Sequence, residues 1–397
     1  MRALRCRAVL AAIFVILFPI AGSTQIKPRA RDLGVPFDGT PGPLDAITDV
    51  KGVEVGETTL ISGSGKLVVG QGPVRTGVTA ILPRGKSPAS QVFAAWFPLN
   101  GAGEMTGTTW VEESGLLQGP VMITNTHSVG VVRDAVIKWR VNLAPPENTG
   151  YWWTVPMVAE TYDGYLNDTN GFHVTPQDAF HALDSARSGP VPEGNVGGGT
   201  GMICYEFKGG TGTASRQITA AGAGYTVGVL IQCNCGRHNQ LRIAGVSVGP
   251  EIEAPRVWEK AGLTSGEEQG SIIIVVATDA PLLPHQLKRL ARRASLGLAR
   301  TGSTSGNGSG DIFMAFSTAN PESARLKGLA QVQMIANGEM DPIFSATVEA
   351  TEEAIVNALV AAESMTGADD HTVLALPHDR LREVLRKYGH LQEKRNP

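Results

Sequence analysis

The junction between Gly270 and Ser271 joins a polar loop, EEQG, to the apolar run SIIIVVATDAP. If the chain were cut between these two residues, Ser271 would carry a free α-amino group beside its own hydroxyl. Such an amine has an unperturbed pKa of about 7.7–8.0, so it could accept the hydroxyl proton near neutral pH. Ser271 would then be an N-terminal nucleophile that supplies its own base.

The chain could make this cut itself. Attack of the Ser271 hydroxyl on the Gly270 carbonyl would give an ester by an N-to-O acyl shift, and hydrolysis of that ester would free the serine amine. Glycine suits position 270 because it has no Cβ, permits strained backbone angles and leaves its carbonyl open to attack. From the residues alone, however, a Gly-Ser pair is more often ordinary turn chemistry before a strand.

Three other patterns could indicate a functional site, but none has the residue spacing that such a site requires. GSGK at 63–66 lacks the full phosphate-loop pattern because Leu67 follows the lysine, which favours a hairpin turn. Cys233, Cys235 and His238 fit no zinc pattern, so we expect no metal. None of the 8 histidines stands beside a G-x-S-x-G elbow, so a Ser271 nucleophile would need another base.

The elements around these residues alternate between runs of strands and helices. After an extended, Pro/Gly-rich arm, short apolar runs separated by turns predict strands. Helical spacing of Val158, Tyr162 and Tyr165 indicates a possible helix, and helices are also predicted in LPHQLKRLARRASLGLARTG, ATVEATEEAIVNALVAAESMTG and PHDRLREVLRKYGH. AGYTVGVLIQCNCG, RIAGVSVG, SIIIVVATDAP and DIFMAFSTA predict strands. We therefore expect sheets with helix layers outside them.

The first 23 residues have the composition of a secretory signal. Three arginines precede an apolar segment from Ala8 to Ile20, and the small residues Ala21-Gly22-Ser23 follow it, as at a signal-peptide cleavage site. Export without a membrane anchor is the expectation, since the apolar segment is too short to span a bilayer. Removal of those arginines takes the formal charge from −3 to −6, which argues against a nucleic-acid partner.

Three cysteines remain after such a cleavage, namely Cys204, Cys233 and Cys235. An odd and small number is not a disulfide framework. Cys233 and Cys235 lie two apart in an apolar segment, so small buried hydrophobic side chains are the expected role.

Several segments, in order, resemble the DmpA/BapA-type aminopeptidases, that is, the L-aminopeptidase/D-Ala-esterase-amidases and the β-peptidyl aminopeptidases. They are RARDLGVPFDGTPGPLDAITDVKGVEVG, ETYDGYLND, GYTVGVLIQCNCG and the long stretch from SIIIVVATDAP to GNGSGDIFMAFSTAN. The resemblance as a whole covers essentially everything from about residue 29 to 385. The resemblance favours self-cleavage over an ordinary turn at Gly270–Ser271.

The resemblance implies an α/β fold, a four-layer α/β/β/α sandwich with layers like those of the N-terminal-nucleophile hydrolases but different connectivity. It implies a signal peptide over 1–23, an α-chain over 24–270 and a β-chain over 271–397 that stay together in one domain. It also implies a homo-oligomer of such heterodimers, and neither a metal nor a cofactor.

Ser271 matches the family's nucleophile, and Ser309 and Asp311 in GSGD match the serine and carboxylate that support it. Some relatives carry a glutamate at the position of Asp311. A carboxylate two residues beyond a hydroxyl in an extended chain points to the same side, so Asp311 could orient Ser309. Without the resemblance, solvation of a turn is the more common role of such a pair.

Asn234 in QCNCG matches the donor that stabilises the oxyanion. Glu160 in ETYDG matches the carboxylate that holds the free amine of the substrate, and Tyr162 a hydroxyl that lines the site. The residues alone would favour a strand-end asparagine and a solvated helical glutamate.

The resemblance implies a self-cleaving serine aminopeptidase that acts on short peptides, amides or esters with a free amino group. A related enzyme that transfers the acyl group to an amine, and an exported binding protein without catalysis, are the alternatives. The preference among L-α, D-α and β-amino residues is left open.

Overall fold

The computed structural model describes residues 27–87, 91–143, 150–253, 257, 270–325 and 327–393. The predicted signal peptide and most of the polar linker before Gly270 lie outside these ranges. Within the described residues, no helix has the length and apolarity needed to cross a membrane.

The described strands and helices follow the chain in alternating groups. The strands are β1 Glu54–Ser62, β2 Val74–Lys86, β3 Val92–Pro98, β4 Leu116–Leu117, β5 Val121–Asn125, β6 Met157–Thr161, β7 Ile203–Cys204, β8 Phe207–Lys208, β9 Gly210–Ala220, β10 Ala223–Asn234, β11 Arg242–Ile243, β12 Val246–Ser247, β13 Ser271–Thr278, β14 Ile312–Ser317, β15 Met365–Thr366 and β16 Thr372–Val373. The α-helices are α1 Thr108–Ser114, α2 Val129–Leu143, α3 Pro176–Ser185, α4 Pro284–Arg300, α5 Asp341–Ala361 and α6 His378–Lys387.

Two sheets form the centre of the molecule. One has the strand order β1-β2-β5-β6 and the other the order β4-β3-β14-β13-β10-β9. Helices α2 and α3 pack on the first sheet, and α4 and α5 pack on the second. A buried apolar cluster between the sheets includes Ile81, Ile123, Ile273 and Met314. This arrangement confirms the predicted α/β/β/α sandwich.

Strand β13 begins at Ser271 and is buried along its whole length. Ile272, Ile274 and Val276 belong to the cluster beneath α4 and α5, whereas Ile273, Val275 and Ala277 belong to the cluster between the sheets. Successive side chains of a strand point to opposite faces, so a strand covered on both faces is apolar throughout. The sequence SIIIVVAT therefore places its first residue at the start of a strand that is buried on both faces.

The predicted helix around Val158, Tyr162 and Tyr165 is wrong. Residues Met157–Thr161 form β6, which runs parallel to β5 with all five residues buried. A strand buried on both faces lacks the alternation of polar and apolar residues by which strands are recognised. The helical spacing of Val158, Tyr162 and Tyr165 was therefore a coincidence and did not indicate a helix. Glu160 consequently lies in a strand and is 4% exposed, whereas the helix prediction put it at a solvated surface.

The N-terminal arm is only partly the extended surface segment that was predicted. It contains two 3₁₀ helices, Ala30–Leu33 and Ile47–Asp49. Arg31 and the fully buried Arg216 both pair with the fully buried Glu353 of α5, with N–O distances of 2.6 and 2.7 Å. The Arg31–Glu353 pair holds the arm against the helix layer, and both pairs connect residues from the two sides of the predicted cut.

Candidate active site

Ser271 lies opposite Asn234 in the antiparallel pair of β13 and β10. Directly opposed residues project to the same face of a sheet, with Cβ atoms about 4.5–5.5 Å apart. The Ser271 side chain is 6% exposed, and its Oγ accepts a hydrogen bond of 3.1 Å from the backbone N–H of Gly310. The fold therefore brings the predicted nucleophile and the predicted oxyanion donor together.

The backbone N–H of Gly310 also points at the bond that would be cut. It lies 3.3 Å from the carbonyl oxygen of Gly270, so Gly270 and the Ser271 hydroxyl share this donor. An N–H in this position would stabilise negative charge that develops on the Gly270 oxygen during attack by Ser271. Sequence reasoning missed this group, because a backbone donor leaves no signature in the residue type.

Close approach of the backbone requires glycine at position 270. A Cβ at this position would lie 2.4 Å from the carbonyl oxygen of Asn234 and 2.7 Å from Cα of Cys235. Gly270 is not among the glycines with positive φ, so the strained backbone angles considered from the sequence are absent there. What the glycine supplies is space for β10 beside the junction.

Replacement of Gly270 by alanine is expected to slow self-cleavage at least about tenfold, because the added methyl group must displace β10 and hence Asn234. The measurement is the fraction of cut chain against time on a denaturing gel. The matched control is Gly224→Ala on β10, the strand that the Gly270 replacement would displace, since a Cβ at Gly224 meets nothing within 4 Å. Equal cleavage rates for the two variants would contradict the steric argument.

Ser309 and Asp311 form a buried pair beside Ser271. The Ser309 hydroxyl donates to Asp311 Oδ1 at 2.6 Å, and the Ile272 N–H donates to the same oxygen at 3.2 Å. Strands β13 and β14 are parallel neighbours, so the residues that precede them meet at one edge of the sheet. The shorter aspartate thus reaches both Ser309 and the backbone next to the nucleophile.

Asn100 holds this loop in place. Its Oδ1 accepts the Asp311 N–H at 2.8 Å, and its Nδ2 donates to the carbonyls of Ser305 and Gly306 at 3.2 and 3.0 Å. Asn100 was not predicted, because it lies more than two hundred positions from Asp311 in the chain.

The carboxylate of Glu160 is held by two donors. Its Oε1 accepts the backbone N–H of Glu104 at 3.0 Å, and its Oε2 accepts the hydroxyl of Thr126. Burial raises the pKa of Glu160, and these two hydrogen bonds oppose that rise. Within the described residues, no cationic side chain pairs with it.

Gly103 lies between the Glu160 carboxylate and Gly310, whose N–H contacts the predicted nucleophile. A Cβ at Gly103 would lie 3.0 Å from Cα of Gly310 and 3.3 Å from Oε1 of Glu160. Glu160 therefore lies across Gly103 from the residue whose N–H contacts Ser271. Such a carboxylate can bind the ammonium group of a molecule whose carbonyl reaches the serine.

Asn234 is buried and its side-chain amide is oriented by two contacts. Its Oδ1 accepts the Ile203 N–H at 2.7 Å, and its Nδ2 donates to the carbonyl of Tyr162 at 3.0 Å. One of the two Nδ2 hydrogens is used in that bond, so the other can serve a substrate oxygen. The Tyr162 side chain itself is 49% exposed and folds over Gly164, so what connects it to the site is its backbone carbonyl.

A disulfide joins Cys204 to Cys233, with a Cα–Cα distance of 5.7 Å. The role expected for Cys233, a small buried hydrophobic side chain without a disulfide, was therefore wrong, although the burial of Cys233 and Cys235 was predicted correctly. Cys204 is 29 residues from Cys233 and is brought to it by the β7–β8 hairpin. The bond connects the neighbours of Ile203 and Asn234. His238, considered with the cysteines from the sequence, instead contacts the carbonyl of Ile252 at 2.6 Å.

Comparison with known proteins identifies the family of the chain. The profile of peptidase family S58 matches residues 45–373. The chain is 56% identical to the β-peptidyl aminopeptidase BapA of Sphingosinicella microcystinivorans, over 94% of this chain and 96% of the relative. It is 49% identical to the BapA of Sphingosinicella xenopeptidilytica, over 94% of each chain.

Solved structures resemble the whole sandwich. The L-aminopeptidase D-Ala-esterase/amidase of Ochrobactrum anthropi, described as a variant of the Ntn hydrolase fold, matches with a TM-score of 0.85 and 50% identity, over 92% of this chain and 100% of that chain. A β-aminopeptidase from Burkholderia sp. matches with a TM-score of 0.81 and 46% identity, over 91% and 99% of the two chains. Family profile, sequence identity and fold agree with the resemblance seen in the sequence, and the chain belongs to peptidase family S58.

Proposed function

We propose that this protein is a serine aminopeptidase of the N-terminal-nucleophile type, which releases a first residue with a free amine from short peptides, amides and esters. The observation that carries the proposal is the buried Glu160 carboxylate across Gly103 from the loop that contacts Ser271. An aminopeptidase needs such an anion to distinguish a charged terminus from an internal peptide bond. Because two of its relatives are β-peptidyl aminopeptidases, we propose a β-amino residue as the preferred first residue.

Maturation is proposed to begin with attack of Ser271 Oγ on the Gly270 carbonyl carbon. The C–N bond to Ser271 breaks as the nitrogen gains a proton, which leaves an ester between Gly270 and the serine. Water hydrolyses the ester and yields the Gly270 carboxylate together with a serine that has a free amine and a free hydroxyl. The Gly310 N–H, 3.3 Å from the carbonyl oxygen, stabilises the charge in both steps.

In the mature enzyme, the Ser271 hydroxyl attacks the substrate carbonyl and passes its proton to its own α-amine. Ser309 and Asp311 orient and stabilise the resulting ammonium. Asn234 donates to the tetrahedral oxyanion, an interaction worth about 2.7–4 kcal/mol in comparable sites. The proton then goes to the departing amine, and water releases the acyl group from the serine.

A panel of p-nitroanilides tests the proposal. We expect the β-alanine substrate to be hydrolysed faster than those of L-alanine and D-alanine, and the N-acetylated β-alanine substrate to be inert because it lacks the ammonium group. An added amine acceptor in the same assay separates hydrolysis from acyl transfer. Equal rates for free and acetylated substrates would overturn the assignment of an aminopeptidase.

The chain organisation is part of the proposal. We propose that a signal peptide over 1–23 is removed on export, that chains 24–270 and 271–397 stay associated, and that these heterodimers form a homo-oligomer. The insertion of β13 and β14 between β3 and β10 supports the association of the two chains. N-terminal sequencing of both fragments and light scattering of the purified protein test these points, and an intact chain with Met1 at its start would contradict them.

A further inference from the structure

Lys208 is a fully buried lysine on β8, and its surroundings are unusual for a cation. Its Nζ donates to the carbonyl oxygens of Met202 and Gly209, each at 2.8 Å, with the Gly199 carbonyl at 3.5 Å. Within the described residues, no carboxylate forms an ion pair with it. Buried charges are normally paired, so a lysine held only by backbone carbonyls calls for a specific role.

The carbonyl of Met202 and the N–H of Ile203 belong to the same peptide group. Lys208 binds this group at its oxygen, and the group donates from its nitrogen to Asn234 Oδ1 at 2.7 Å. The side-chain amide of Asn234 then presents its Nδ2 hydrogens, one of which contacts the Tyr162 carbonyl. Lys208, one peptide group and one side-chain amide thus form a continuous series of hydrogen bonds.

Such a series is cooperative. A positive charge on an amide oxygen draws electrons from the nitrogen, makes the N–H a stronger donor and so polarises the next amide in the same sense. Burial lowers the pKa of Lys208. The groups nearest Nζ, however, are all acceptors, which suits the three donors of an ammonium better than the lone pair of a neutral amine.

We propose that Lys208 is a positioning residue of the catalytic reaction, which orients and polarises the Asn234 amide through the Met202–Ile203 peptide group so that Nδ2 binds the oxyanion more strongly. This inference rests on the oxyanion role proposed for Asn234. The β7–β8 hairpin carries both Lys208 and Ile203, which face each other in its register. The disulfide from Cys204 to Cys233 fixes the same hairpin beside Asn234.

The test is a double-mutant cycle of Lys208→Met and Asn234→Ala. Methionine has a similar length and no charge, so we expect kcat to fall about tenfold with KM unchanged, less than the 10²- to 10³-fold typical for loss of an oxyanion donor itself. In the Asn234→Ala background, the lysine replacement should change kcat by less than about twofold. Active-site titration restricts the comparison to cut and folded enzyme.

A purely structural lysine would give a different pattern. In that case Lys208→Met would lower the melting temperature and would reduce kcat by the same factor in the wild-type and Asn234→Ala backgrounds. This result would overturn the inference. A normal kcat in Lys208→Met beside a reduced kcat in Asn234→Ala overturns it while leaving the role of Asn234 intact. A normal kcat in Asn234→Ala overturns that role and the inference with it. If the methionine variant does not fold, Lys208→Gln keeps one donor for Met202 without the charge, and the same cycle applies.

Discussion

Replacing Ser271 by alanine will leave the chain uncut and will lower kcat by about 10⁶-fold, the scale seen when a serine hydrolase loses its nucleophile. Two functions are lost at once, because the hydroxyl that attacks Gly270 is the hydroxyl that attacks the substrate. The uncut chain also lacks the α-amine that accepts the proton. A denaturing gel and a β-alanine p-nitroanilide assay measure the two losses.

Ser271→Cys is the matched control for this variant. A thiol is a nucleophile that fits the same space, so the chain should still be cut at the same bond. Ser309→Ala is a second comparison, since it leaves the nucleophile in place and removes only the donor to Asp311. A Ser271→Ala protein that is cut at 270–271, or that turns over substrate as an intact chain, would disprove the mechanism.

Replacing Glu160 by glutamine will reduce kcat/KM on substrates with a free amine by roughly 30- to 4000-fold. The range corresponds to the 2–5 kcal/mol, approximately, that is lost when one partner of a buried charge pair is removed. Glutamine keeps a carbonyl oxygen for the Glu104 N–H and an amide that can donate to the Thr126 hydroxyl, so the local structure should survive. Initial rates over a range of substrate concentrations measure the effect.

Self-cleavage is the internal control for this variant. No ammonium group takes part in attack on Gly270, so Glu160→Gln should be cut at the normal rate while it loses activity on peptides. If both processes slow by the same factor, Glu160 supports the fold of the site and does not bind the amine.

The acid limb of kcat/KM should have two parts, one from the Ser271 α-amine, which must be neutral to accept the hydroxyl proton, and one at lower pH from Glu160. Burial raises the pKa of this carboxyl, and only its ionised form attracts an ammonium group. Activity should therefore rise with pH through a value above that of an ordinary glutamate, about 4.3. The lower-pH part should disappear in Glu160→Gln, because glutamine does not titrate, whereas the part due to the α-amine should remain. A lower-pH part that persists in this variant would assign it to another group.

The sequence predicted the elements with strong periodicity. The helices α4, α5 and α6 and the strands around Ser271 and Asn234 lie where their apolar patterns indicated. It failed at β6, where burial of both faces removes the polar alternation that distinguishes a strand. That failure concealed the burial of Glu160, and the residue was identified only through the resemblance to relatives.

The rest of the site depends on contacts between distant parts of the chain. Asn100, Thr126 and Lys208 have ordinary surroundings in the sequence, and their roles appear only when loops from separate elements meet. The Gly310 donor is a backbone group and has no side chain to recognise. The junction and the resemblance together indicated Ser271, and the resemblance also indicated Ser309 and Asp311, whereas Asn100 and the Gly310 N–H required the fold.

The position of β13 and β14 has a consequence for the proposed maturation. Both strands lie inside the six-stranded sheet, between β10 and β3, and both follow the bond proposed to be cut. The continuous polypeptide is therefore the unit that folds, and scission converts an intramolecular assembly into a complex of two molecules. Thermal denaturation of mature enzyme should depend on protein concentration, whereas that of an uncut variant should not. Once separated, the two proposed fragments would have to find each other by diffusion, so we expect dissociation of a cut copy to be far harder to reverse than unfolding of the uncut chain.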